Sequence, residues 1–189
     1  FTVTSGLRDI DNNFYNFKLG VKGGYKYDDI DGDGPAGVNN PLSGWTINLY
    51  KWVGGVWAFQ GFDVTNSSGC YEFTGLTAGL YRVNETLQPG WIRTHPASGY
   101  YEFTVTSGLR DIDNNFYNFK LGVKGGYKYK DITGNGPSGD DTLLSGWTIN
   151  LFKWVGGAWV SQGTDTTDGS GYYEFTGLTA GLYLSLIHI

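Results

Sequence analysis

Methionine is absent from the 189 residues, cysteine occurs once and histidine twice. Cys70 has no partner for an intrachain disulfide, and the equivalent place in the repeat described below is Tyr172. Cysteine counting is therefore silent about compartment. A reactive thiol needs an activating base, and no histidine lies near Cys70 in sequence, so it reads as a small residue tolerated at a tyrosine position. His95, beside Pro96, and His188 are not repeated, which leaves no basis for a Ser-His-Asp or metal-hydrolase constellation. His95 reads as a loop residue. Positive charge is also scarce: 13 Lys and Arg stand against 18 Asp and Glu, for a net charge of −5. Without a Lys/Arg patch to displace counterions, nucleic acid is excluded as a partner. No apolar run is long enough to span a membrane. The chain opens in the middle of a pattern, without an initiator Met or signal sequence, and is expected to be an internal piece whose targeting and anchoring segments lie elsewhere.

Glycine and aromatic residues are abundant: 31 glycines, and 17% Phe, Trp and Tyr. Aromatic side chains suit a pleated, half-buried surface, and glycine suits the turns between strands. The strongest signal is internal. The segment FTVTSGLRDIDNNFYNFKLGVKGGYKY, Phe1–Tyr27, recurs unchanged at Phe103–Tyr129, 102 positions later. The register holds without gaps to Tyr183, with Trp45, Trp52 and Trp57 falling on Trp147, Trp154 and Trp159. A period of that length is a whole domain rather than a solenoid turn. Residues 1–20 are expected to be the closing strands of a preceding module, 21–122 a complete module, and 123–189 a truncated second copy. After Tyr183 the residues LSLIHI replace RVNETL, so 184–189 read as a tail foreign to the fold.

Within one module, GWTINLYKW alternates Trp45, Ile47 and Leu49 against Thr46, Asn48 and Tyr50, the pattern of a strand with one face in a core. Similar runs cover 57–64, 71–74, 80–86, 100–106 and 116–121. Gly54-Gly55, Ser68-Gly69, Thr77-Ala78-Gly79 and Pro89-Gly90 punctuate them as turns. Six to eight short strands at this spacing predict an all-β fold of tandem Greek-key, immunoglobulin-like sandwich modules, the last one truncated. Trp45 is expected in the core. Trp52, Trp57 and Trp91 are open between core or junction packing and an exposed platform for a sugar.

The order GYKYDDIDGDG, LSGWTINLY, GCYEFTGLTAGLYRVNETLQPGW and NFYNFKLG resembles the B-type repeat of serine-aspartate repeat proteins, within the wider group of prealbumin-like and collagen-adhesin B-type sandwiches. The resemblance implies an extracellular or cell-surface stalk or spacer, often rigidified by calcium, whose partners are neighbouring modules of its own chain. Collagen-adhesin B-type domains also form a Lys-to-Asn isopeptide bond assisted by a buried Glu. Glu85 shares a strand face with Tyr81 and Val83 and is expected to point inward. Lys26 and Asn118 lie opposite the aromatic faces of their strands, so both are expected at the surface and the bond is not expected to form.

The acidic loop speaks independently of that resemblance. Asp29, Asp31 and Asp33 stand at alternate positions, with Gly32 and Gly34 after the last two, a spacing that can converge carboxylate oxygens on one hard cation such as Ca2+. An EF-hand would need a glutamate where Asn40 stands. The second copy offers Asp131, Thr133 and Asn135 and adds Asp140 and Asp141, a set expected to attract the cation less strongly. The competing reading is an acidic solvated turn. Asn66 and Asn84 match the N-glycosylation pattern, which matters only on an exported chain. Two functions follow as expectations: a structural spacer, or a module that binds a surface glycan or protein ligand through exposed tryptophans. An enzyme is not expected.

Overall fold

The alternating runs form strands in the computed structural model, which describes residues 2, 5 and 13–187, and every regular element among them is β. The first ten strands are β1 (Gly20–Asp29), β2 (Asn39–Pro41), β3 (Thr46–Val53), β4 (Val56–Val64), β5 (Cys70–Leu76), β6 (Gly79–Glu85), β7 (Trp91–His95), β8 (Tyr100–Val105), β9 (Arg110–Asp111) and β10 (Phe116–Lys120). One sheet runs β4-β3-β6-β8 and is antiparallel throughout. The opposing layer is organised by β1, whose first half pairs with β5 and β9 and whose second half pairs with β2 and β10. β7 then closes the edge beyond β10. The first and last long strands are neighbours and run parallel, with Lys26 opposite Phe116 and Asp28 opposite Asn118.

The expected phase of β3 is observed: Trp45, just before the strand, and Ile47 and Leu49 within it are buried. With Tyr71, Leu76, Tyr81, Val83, Val105 and Phe116 the two strand residues form the core between the sheets. Each such side chain contributes about 1.5–3 kcal/mol by leaving water. Gly54 and Gly55 both take positive φ (58° and 91°) and close the β3-β4 hairpin as a two-residue turn, which their lack of a Cβ permits.

The second copy comprises β11 (Gly122–Tyr127), β12 (Tyr129–Lys130), β13 (Thr142–Leu143), β14 (Thr148–Val155), β15 (Ala158–Thr166), β16 (Tyr172–Leu178) and β17 (Tyr183–Ile187). Its core is smaller, built on Ile149, Leu151 and Phe175. Residues 184–187, read from the sequence as foreign to the fold, extend β17 instead. They pair with β14 in the register β6 uses on β3, so Ile149 faces Ile187 as Ile47 faces Glu85. A strand needs only backbone pairing and apolar alternation, and Leu184 and Leu186 supply enough of both. Half of the segment read as a preceding module's closing strands, and His188, lie outside the described residues; residues 13–19 form no strand.

Candidate functional site

The expectation that Lys26 and Asn118 face solvent is overturned: both are fully buried. The aromatic residues misled the phase. In GVKGGYKYDD the inward face of β1 carries Gly20, Lys22, Gly24 and Lys26, while Tyr25 and Tyr27 stand half-buried on the other face. Tyr27 stacks on Tyr117 of β10 with ring centroids 4.9 Å apart. This outer aromatic layer is what the sequence pattern took for core. Phe116 and Asn118 consequently share the inner face of β10.

Three strands deliver three different groups to one dry point. Glu85 ends β6 and, as expected, faces inward with Tyr81 and Val83. Its Oε2 lies 3.5 Å from Lys26 Nζ and accepts a hydrogen bond of 2.9 Å from Asn118 Nδ2. Lys26 Nζ also donates to the carbonyls of Tyr27 (3.1 Å) and Phe116 (3.4 Å) and sits 4.4 Å above the Trp45 ring. Burial pulls the Lys26 ammonium down to about 8, with the Glu85 charge opposing and the guanidinium of Arg93 assisting. Asn118 Oδ1 is buried and finds no hydrogen-bond partner, an arrangement that leaves its desolvation uncompensated. A primary amine, an amide carbon and a carboxylate able to pass protons between them therefore share one water-excluded pocket.

Sequence reasoning missed Arg93. It lies on β7, in register with Asn118, and its Nε donates to Glu85 Oε1 at 3.1 Å. Nothing in the run WIRTH marks it out from a surface arginine. A second internal ion pair also went unread. Lys22, buried on β1, meets Asp111 Oδ2 at 2.6 Å, and Asn114 Nδ2 donates to the other oxygen at 2.6 Å. Burial lowers the Lys22 ammonium against the pull of Asp111. Asp111 would itself rise on burial but is held below the usual carboxylate range by Lys22.

The acidic loop leaves β1 at Asp29. Asp29 is buried, and its two oxygens accept the backbone N–H groups of Gly32 (2.9 Å) and Gly34 (2.8 Å). Asp31 and Asp33 are exposed, and one oxygen from each of the three carboxylates lies within 4.8 Å of the others. The hydrogen bond from Val38 N–H lowers the Asp31 carboxyl. Desolvation and then the neighbouring charge of Asp31 raise that of Asp33. Three hard oxygen donors at that separation suit a cation such as Ca2+. In the second copy Asp131 accepts from Gly134 and Gly136 in the same way. Asp140 and Asp141 instead turn to Ser138. Among the described residues no group of three acidic, His or Cys side chains gathers there, and Asn135 adds no charge.

The remaining candidates are placed as follows. Trp45 is core and meets Trp91 edge-on at 5.5 Å. Trp52 is 43% exposed and meets Trp57 edge-on at 5.1 Å with planes 63° apart, a pair repeated at Trp154 and Trp159. Arg82 covers Trp57 at 4.3 Å. Cys70 is a half-buried free thiol, and desolvation, then Glu72 and Asp63, push it up, away from reactivity. His95 is on β7 rather than in a loop, packed edge-on against Tyr117. Asn66 is exposed, while Asn84 is half-buried and accepts from Asn48.

No family model matches the chain. Among curated proteins it is similar to serine-aspartate repeat-containing protein F of Staphylococcus epidermidis, 31% identical over 187 aligned positions covering 92% of the chain. It is also similar to serine-aspartate repeat-containing protein D of Staphylococcus aureus, 32% identical over the same span. The chain covers 10% of the first and 14% of the second. The resemblance read from the motifs thus extends over nearly the whole chain. Among solved structures, a streptococcal ancillary pilin aligns with 89% of this chain and 53% of its own, at 18% identity and a TM-score of 0.46. The Bacillus anthracis TIE protein aligns with 91% of this chain and 29% of its own, at 18% identity and a TM-score of 0.47.

Proposed function

We propose that the chain is a load-bearing spacer of an extracellular, cell-surface protein, in which the module built from β1–β10 is clasped by an amide bond between Lys26 and Asn118. The observation that carries this reading is the meeting of Lys26, Glu85 and Asn118 in one buried site, on the first and last long strands. Glu85 takes a proton from the Lys26 ammonium. The freed amine attacks Cγ of Asn118, the Nζ–Cγ bond forms and the Cγ–Nδ2 bond breaks. The nitrogen that leaves departs as ammonium, which returns Glu85 to its carboxylate. Atoms and charge balance without an oxidant or cofactor. Closing a loop of roughly a hundred residues in this way adds on the order of 4 kcal/mol by chain entropy. The gain under tension is larger, because pulling on the ends of the module loads β1 and β10 first.

Calcium fits the same role. Asp29, Asp31 and Asp33 would hold the ion at the end of β1 through oxygen donors and fix the loop that leads to β2. The second copy, with Asp131, Asn135, Asp140 and Asp141, binds more weakly in this reading.

A binding role for the β3-β4 hairpin rests on the exposure of Trp52, Phe59 and Phe62. The tilt between Trp52 and Trp57 and the Arg82 guanidinium over Trp57 favour a protein partner over a sugar, which prefers a flat open ring. Stretching single chains between their ends tests the spacer reading. The wild type should give no unfolding event from β1–β10, and Glu85→Gln should restore one. An event of equal size in both chains would remove the clasp.

A further inference from the structure

Glu85 has two oxygens, and they are used differently. Oε2 faces the reacting pair, Lys26 and Asn118, whereas Oε1 takes the Arg93 guanidinium at 3.1 Å. The seat for that guanidinium is built. At Gly99, where φ is +81°, a Cβ would fall 2.5 Å from an Arg93 terminal nitrogen and 2.7 Å from its Cζ. The backbone after β7 therefore leaves the space that the guanidinium fills. Arg93 is 29% exposed, while Glu85 is buried.

Bond formation needs a proton to pass from Lys26 to Glu85, which converts two opposite charges into two neutral groups. A guanidinium in contact with the carboxylate stabilises the charged arrangement and not the neutral one. Arg93 also repels the Lys26 ammonium, which favours proton loss, but it touches only the carboxylate.

We propose that Arg93 is a positioning residue that restrains the Lys26–Asn118 reaction, holding Glu85 as a carboxylate so that the module folds first and links slowly afterwards. This rests on the clasp proposed above. The other charged groups around the pair are Glu85 on β6 and Asp28 on β1, and neither replaces a cation at Oε1.

The test follows the loss of one ammonia by intact mass of the full chain, refolded from denaturant, against time. Arg93→Met and Arg93→Gln should link at least about tenfold faster than the wild type, the effect of one pKa unit on the proton transfer. Arg93→Lys, which keeps a cation beside Oε1, should return the slow rate. The wild-type rate should hold to about pH 8, where Lys26 loses its proton, and fall above it. In Arg93→Met that fall should move to higher pH, because the guanidinium no longer lowers Lys26. Circular dichroism of each variant checks that it has folded, and Arg93→Gln serves if Arg93→Met has not. A wild type that never links while Arg93→Met does would overturn both the slow linking proposed here and the clasp in the native chain. If the wild type links and both neutral variants link no faster, the restraint is wrong and the clasp stands. If no chain loses ammonia, the clasp itself is wrong and the restraint goes with it.

Discussion

Lys26 holds its charge where water cannot reach it, and that burial is only tolerable with Glu85 beside it. Replacing Glu85 by Gln leaves a buried ammonium without a counter-charge. Urea unfolding should show a loss of about 3–5 kcal/mol, the usual cost of breaking one partner from a buried pair, on top of the lost cross-link. The proton balance gives a separate signature. In Asn118→Ala, Lys26 stays a free amine whose folded value of about 8 lies below its ordinary 10.5. Between those limits the unfolded chain binds more protons than the folded one, so stability rises with pH. The rise should total about 3 kcal/mol from pH 8 to 10.5. It should be missing from the linked wild type, where an amide nitrogen has no proton to lose. A stability profile flat over that range in Asn118→Ala would show that Lys26 is not depressed by burial.

Strand identity was legible in the sequence wherever one face was apolar and the other polar. β3 is the clear case, with Trp45, Ile47 and Leu49 falling on the buried side. β1 and β10 were misread because both of their faces are covered: the inner one by the core and the outer one by Tyr27 on Tyr117. An alternation rule assigns aromatics inward, and here the inward positions hold lysines and an asparagine whose partners come from β6 and β9. The convergence of the Asp29, Asp31 and Asp33 carboxylates was legible because their spacing is local, whereas Lys26, Glu85 and Asn118 lie far apart in sequence. Two expected outcomes follow for these elements. Asp31→Asn should weaken calcium binding about tenfold in calorimetry, since affinity follows the charge of the ligand set. An absence of calcium uptake by the wild type would instead leave the loop as a hydrogen-bonded turn. Trp45→Ala should cost about 3–5 kcal/mol in chemical unfolding as a core truncation. Trp52→Ala at the hairpin tip should cost under about 1 kcal/mol.

The repeated segments make the chain its own control, because identical residues meet different surroundings. Phe116 is buried against β1, whereas Phe14, in the same sequence context, is 92% exposed. β1 runs unbroken from Gly20 to Asp29, but the matching residues divide into β11 and β12, and Lys124 is exposed where Lys22 is buried. Pairing with β9 and β10, not the local sequence, is what draws the lysines of β1 inward. In the second copy Lys128 still donates to the Tyr129 carbonyl and lies near the Trp147 ring, but Ile187 stands opposite Ile149 at the Glu85 position. Only the module of β1–β10 assembles lysine, carboxylate and amide together among the described residues. Protease digestion of the folded, aged protein followed by tandem mass spectrometry tests this directly. A branched peptide is expected in which Lys26 is joined to Asn118, lighter than its two parts by one ammonia, and no such species from Lys128. Recovery of the Lys26 and Asn118 peptides only as separate, unmodified fragments would contradict it.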